Sequence, residues 1–152
     1  MVALTIKKAD PTQPDTRALL QASHDLMRTL FPSEANHFLS VEGLCQPDVS
    51  FFSAKDGEST LGCAALANRG DYGELKSIFV DPDARGRGIA EALLQQIKAE
   101  AVRQNLPVLR LETGTGLDAA HRLYERHGFR DCGAFGTYEA NAPFSRYMEL
   151  TL

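Results

Sequence analysis

The 152-residue sequence contains no tryptophan, only three cysteines, and no apolar run near the roughly 18 residues that cross a bilayer. A transmembrane helix, and with it a membrane partner, is therefore excluded. Cys45, Cys63 and Cys132 are odd in number and lack CxxC spacing, so neither a disulfide framework nor a zinc site is expected, and all three are predicted to be small buried side chains. His24, His37, His121 and His127 show no HExxH-like spacing, so no metal is expected, and His121 and His127 are predicted on exposed helix surface. Excess cation is missing too. Sixteen Lys and Arg face 20 Asp and Glu, for a net charge of −4, which argues against nucleic acid as a partner while leaving room for one local basic pocket. The opening Met1-Val2-Ala3-Leu4-Thr5-Ile6-Lys7-Lys8 is too short and too soon charged for a secretory signal, so a cytoplasmic location is expected.

What is present suits one domain spanning 1–152, since 43% of the residues are hydrophobic and can build a core. Ala3 to Lys8 alternates as a first strand. Pro14 can open a helix whose apolar stripe runs through Leu19, Leu20, Ser23, Met27 and Leu30, and Pro32 stops it. A short helix is expected around Leu39 to Leu44. A meander of strands follows over Val49–Ala54, Ser59–Ala67 and Tyr72–Val80, with turns at Asp56-Gly57 and Gly70-Asp71. Then come a helix from about Gly88 to Gln104, a strand over Pro107–Glu112, and a helix capped by Asp118 and ended by Gly128 in a left-handed cap. Strands over Phe129–Ala134 and Arg146–Thr151 close the chain. This order predicts an α/β fold with a mixed sheet covered by helices on both faces, and hairpins at both ends distinguish it from a doubly wound sheet.

Between the third meander strand and the long helix stands Arg85-Gly86-Arg87-Gly88-Ile89-Ala90. The first N–H groups of a helix have no internal partners, and the helix dipole adds positive potential there. Glycines let a phosphate approach the backbone, and the arginines add charged donors. A Walker loop would need Gly-Lys-Ser/Thr, which is absent, and a dinucleotide fingerprint would need a small residue where Glu91 stands.

RGRGIA resembles the Arg/Gln-x-x-Gly-x-Gly/Ala pyrophosphate signature of the GNAT superfamily of N-acetyltransferases. Glu-Leu-Lys-Ser-Ile-Phe-Val-Asp-Pro from Glu74 is similar to that family's central strand, and Leu123-Tyr124-Glu125-Arg126-His127-Gly128-Phe129 to its LYExxGF element. The resemblance implies a mostly antiparallel sheet with a central splayed parallel pair. It also implies acetyl-CoA as co-substrate, without a metal, and transfer to the primary amine of a small-molecule acceptor in a ternary complex. By the same resemblance, the backbones of Ile78, Phe79 and Val80 bind the pantetheine amides. Arg85, Gly86, Arg87, Gly88, Ile89 and Ala90 hold the diphosphate, chiefly through backbone N–H groups. Thr113 contacts the pantetheine arm or the acceptor.

Tyr124 is the expected general acid, because a tyrosine hydroxyl can protonate a departing thiolate; the alternative is plain packing on the apolar helix face. Glu74 is the expected general base, the alternatives being a solvated carboxylate or a contact for the cationic end of the acceptor. Strand alternation places Glu74, Lys76, Ile78 and Val80 on one face, with Leu75, Ser77 and Phe79 on the other. For the acceptor, Tyr138 in the loop before the last strand is the expected contact, together with Phe31, Asn36 and His37 from the N-terminal region that lids the pocket in this family. Homodimers are common there, so a second copy is an expected partner. A non-catalytic acyl-CoA sensor and a peptide N-acetyltransferase stay open as alternatives.

Overall fold

Seven strands are observed: β1 (Leu4–Lys8), β2 (Val49–Asp56), β3 (Ser59–Asn68), β4 (Gly73–Val80), β5 (Val108–Gly114), β6 (Arg130–Asp131) and β7 (Ser145–Thr151). In the computed structural model, which describes residues 4–152, they form one sheet in the order β1-β2-β3-β4-β5-β7-β6. The predicted start of the first strand at Ala3 lies outside the described residues. Every neighbouring pair is antiparallel except β4 and β5. The described residues also form four α-helices: α1 (Pro14–Leu30), α2 (Val41–Leu44), α3 (Ile89–Arg103) and α4 (Asp118–Arg126). None of them is long and apolar enough to cross a membrane.

Local chemistry sets the boundaries. Pro14 occupies the first turn of α1, and the helix ends where Phe31 turns extended (φ −133°) ahead of Pro32. Ser40 caps α2, its hydroxyl accepting from Gly43 N at 3.0 Å, which delays that helix to Val41. Asp118 lies inside the first turn of α4, with Leu117 at the cap position, so its charge acts on the helix dipole instead of capping. Gly128 takes the left-handed position (φ 92°) that closes α4. The predicted strand Phe129–Ala134 shrinks to Arg130–Asp131, because the chain leaves the sheet edge once Cys132 N has bonded Tyr147 O.

Two cores lie on opposite faces of the sheet. One packs α3 and α4 through Leu93, Leu94, Ile97 and Leu123 against Leu66, Leu75, Leu109 and Leu111. The other packs α1 through Leu19 and Leu20 against Phe51, Cys63, Ala65 and Phe79. Of the cysteines, Cys63 alone is fully buried; Cys45 is exposed and Cys132 intermediate. His121 corrects its prediction: it is buried, its Nε2 lying 3.0 Å from Gly114 O.

The central strand departs from plain alternation. Cys63 pairs with Phe79 but Ala65 pairs with Lys76, so β4 carries an extra residue, and Ser77 adopts φ 54° there. Leu75, Ile78 and Val80 consequently share the α3 face, while Phe79 joins the α1 core, and Lys76 lies across the sheet from Leu75, bonded to Glu74. The expected grouping of Glu74 and Lys76 with Ile78 and Val80 is broken by this bulge. Beside it, β4 and β5 pair only at Gly73–Leu109 and Glu74–Arg110 and then part.

Leu93 is fully buried against β3. Leu93→Ala should therefore cost about 2–5 kcal/mol, the range for deleting a buried leucine side chain. A urea denaturation midpoint compared with wild type measures this, and a loss below about 1 kcal/mol would contradict the packing described.

Candidate active site

Where β4 and β5 part, a cleft of about 980 Å³ opens through the sheet. Three regions wall it: the glycine turn and first turn of α3, the splayed strands with Tyr124, and residues of α1 and the segment after it.

At the glycine turn, Gly86 (φ 82°) and Gly88 (φ 75°) hold left-handed conformations with open space where a Cβ would stand. These glycines are therefore demanded by the backbone path, not by crowding. No side chain caps the N-terminus of α3, so its leading N–H groups remain available to an anion. Arg85 lines the cleft. The Arg87 side chain turns away and reaches Asp56 Oδ2 at 2.7 Å, leaving only its backbone for the turn. Glu91 would oppose an anion here, but it is tied to His127 Nε2 at 2.9 Å and Arg126 Nη2 at 3.3 Å. Those bonds, Arg126 first, hold its carboxyl below the usual range. The residues present thus fit a diphosphate.

Along the strands, Ile78 and Val80 turn their side chains to the α3 core, while past Glu74 the edge of β4 that faces β5 has no strand to pair with. Such an edge offers backbone donors and acceptors to an extended ligand. Thr113 is buried in the wall, and the Ser77 hydroxyl there is buried with no hydrogen-bond partner. Tyr124 is 5% exposed. It packs on Phe129, with ring centroids 5.8 Å apart, and also lines the cleft, so the packing and site readings coexist. Burial first, then the Glu112 charge, pushes its hydroxyl far above the ordinary tyrosine range. It stays protonated at any physiological pH.

On the α1 side the two carboxylates of neighbouring strands differ sharply. Glu74 is sunk into the protein and does not line the cleft. Its Oε1 accepts from Arg69 Nε at 3.2 Å, and its Oε2 accepts from the Tyr138 hydroxyl at 2.5 Å and lies 3.2 Å from Lys76 Nζ. Lys76 Nζ also donates to Tyr138 Oη at 2.7 Å and to His37 O at 2.9 Å. Glu74 and Tyr138 are thus joined in one bonded network, and neither lines the cleft. Tyr138 lies behind the wall, edge-on to His37 with ring centroids 5.3 Å apart. Phe31, Asn36 and His37 do line the cleft, and Phe31 packs so closely over Gly114 that a Cβ there would collide with its ring.

Glu112 was missed by sequence reading. It lines the cleft, and burial raises its carboxyl against the opposing pull of Ser145, His37 and Lys76. The available signal was alternation: Leu109 and Leu111 point to the α3 core, so Glu112 must point away from it.

The model of the Acetyltransferase (GNAT) family matches residues 16–129. An IAA acetyltransferase of Azospirillum brasilense is 38% identical over 154 residues, covering 100% of both chains. The uncharacterized N-acetyltransferase YedL of Escherichia coli strain K12 is 41% identical over 151 residues, 97% of this chain and 94% of that one. A solved Klebsiella pneumoniae structure assigned as an acyl-CoA N-acyltransferase superposes with TM-score 0.81 and 31% identity, covering 98% of this chain and 97% of that one. A GNAT family acetyltransferase from Elizabethkingia anophelis, with acetyl-CoA bound, shares the fold at TM-score 0.69 and 19% identity, covering 98% of each chain.

Glu112 also links the cleft to stability. Its carboxyl pKa is higher in the folded than in the unfolded chain, so the folded state holds the extra proton as pH rises through the ordinary carboxylate range. Ionising it above that range destabilises the fold. Glu112→Gln should therefore melt higher than wild type at pH 7, with the gain shrinking as pH falls below about 4. Thermal melts across pH check this, and a variant that melts lower at pH 7 would contradict the burial described.

Proposed function

The chain belongs to the GNAT family of acetyltransferases, and from that membership we propose that it transfers an acetyl group from acetyl-CoA to the primary amine of a small-molecule acceptor by direct attack in a ternary complex. The observation that carries this reading is that Tyr124, Glu112 and the uncapped glycine turn line one continuous cleft. The coenzyme supplies the activated acyl thioester when bound. The N–H groups from Gly86 to Ala90, with the Arg85 guanidinium, hold its diphosphate, and the free β4 edge at Ile78, Phe79 and Val80 takes the pantetheine arm opposite Thr113.

An amine at neutral pH arrives protonated and is not a nucleophile. Glu112, whose carboxylate is made more basic by burial, removes that proton. The nitrogen then forms its bond to the acyl carbon as the carbon–sulfur bond breaks. Tyr124 delivers its phenolic proton to the departing sulfur and recovers one from the nitrogen, so the products are amide and thiol, with one proton left on Glu112 to be released. Glu74 acts as a positioning residue in this reading. Its bonds to Lys76 and Tyr138 fix the segment that carries His37.

Thiol release from acetyl-CoA over an amine panel tests the activity. If no amine supports turnover while acetyl-CoA still raises the Tm, the chain is a coenzyme-binding module instead. Tyr124→Phe should lower kcat by about 100-fold, the lower range for losing a general acid, with little change in the KM for acetyl-CoA; an unchanged kcat would remove Tyr124 from the mechanism. Gly88→Val forces a branched side chain into a left-handed position, and it should raise that KM by about 10-fold or more. Unaltered KM in a folded variant would overturn the cradle assignment.

A further inference from the structure

We infer that the acceptor is a primary amine on an apolar body that carries no carboxylate or other anionic group. The inference rests on the acetyl transfer proposed above and concerns the α1 side of the same cleft. Leu26, Met27, Leu30, Phe31 and Phe38 supply that side with aliphatic and aromatic surface. Among the described residues, its one carboxylate is Glu112, which enters no hydrogen bond or ion pair with a cationic side chain. A substrate ammonium entering this side meets a negative group in a half-buried, low-dielectric setting, where attraction is stronger than in water.

An anionic substituent would find no matching partner. Among the described residues, Lys76 is the one lysine or arginine on this wall, and its three N–H donors are already directed at His37 O, Tyr138 Oη and Glu74 Oε2. Arg69, in the turn between β3 and β4, and Arg110, on β5, do not line the cleft, and both are engaged, Arg69 by Glu74 and Asp48, and Arg110 by Glu149 and the rings of Tyr72 and Phe135. Arg85, Arg122 and Arg126 line the opposite side, with the glycine turn and α4. A carboxylate on the acceptor would therefore lose its hydration beside Glu112 without gaining a fixed cation, and desolvation of an unpaired charge is among the costliest events in binding. His37 and Asn36 add hydrogen-bonding groups without a permanent charge.

Matched pairs test this. Thiol release from acetyl-CoA is measured with 2-phenylethylamine against phenylalanine, and with hexylamine against 6-aminohexanoate. In each pair the carboxylate-free amine should show a kcat/KM at least about 10-fold higher, equivalent to about 1.4 kcal/mol. Parity or preference for the carboxylate-bearing partner would overturn the inference while leaving acetyl transfer standing. Silence with all four compounds, with acetyl-CoA still raising the Tm, would sink acetyl transfer and the inference together. A half-exposed wall residue provides a second arm: Leu30→Lys, at a position that tolerates charge, should narrow the ratio within each pair by about 10-fold. A ratio unmoved in that variant, with the wild-type preference for the amines intact, would place the acceptor away from this wall and overturn the inference.

Discussion

At Ser77 the backbone adopts φ 54°, a conformation that costs a non-glycine residue on the order of 1–3 kcal/mol. The surrounding structure holds it there. Cys63 donates its thiol to Ser77 O at 3.4 Å, and the residues that follow are anchored on both faces of the sheet, Ile78 in the α3 core and Phe79 in the α1 core. The bulge reverses which side chains face which core. It follows three residues after Glu74, the last position at which β4 pairs with β5. Past Glu74 the two strands leave the gap through which the cleft runs, and the glycine turn, Tyr124 and Glu112 share its space.

The second constraint is electrostatic. Glu74 and Glu112 stand on adjacent strands, yet their surroundings separate their chemistry. Glu74 is ringed by Arg69, Lys76 and the Tyr138 hydroxyl. Glu112 faces the cleft without a cationic partner, and burial raises its carboxyl above the ordinary range. Two carboxylates held in different environments are a common way for one site to assign separate roles. Here one is bonded into the network behind the wall and the other lines the cleft. Tyr124, held protonated by burial and by the Glu112 charge, completes the pair of proton-carrying groups.

Much of this was legible in the residues. Hydrophobic periodicity gave α1, α3 and the meander within a residue or two, with Pro14 and Pro32 bounding α1. The anion cradle was legible because it is local: glycines, arginines and a helix start lie in six consecutive residues. The bulge was not, since serine carries no signal for a left-handed strand position. Neither was the fate of Glu74, whose partners Arg69 and Tyr138 come from a turn and from a loop far along the chain. His121 misled for a related reason. Its helix position looks exposed in isolation, but the end of β5 lies against it and Gly114 O meets its ring.

A structure of the protein crystallised with coenzyme A tests whether the parted β4–β5 pair is the coenzyme's seat. The diphosphate is expected on the N–H groups between Gly86 and Ala90, with the pantetheine running along Ile78 to Val80 beside Thr113 and its sulfur near Tyr124. A coenzyme bound outside this gap, or a gap closed by continued pairing of β4 with β5, would contradict that placement.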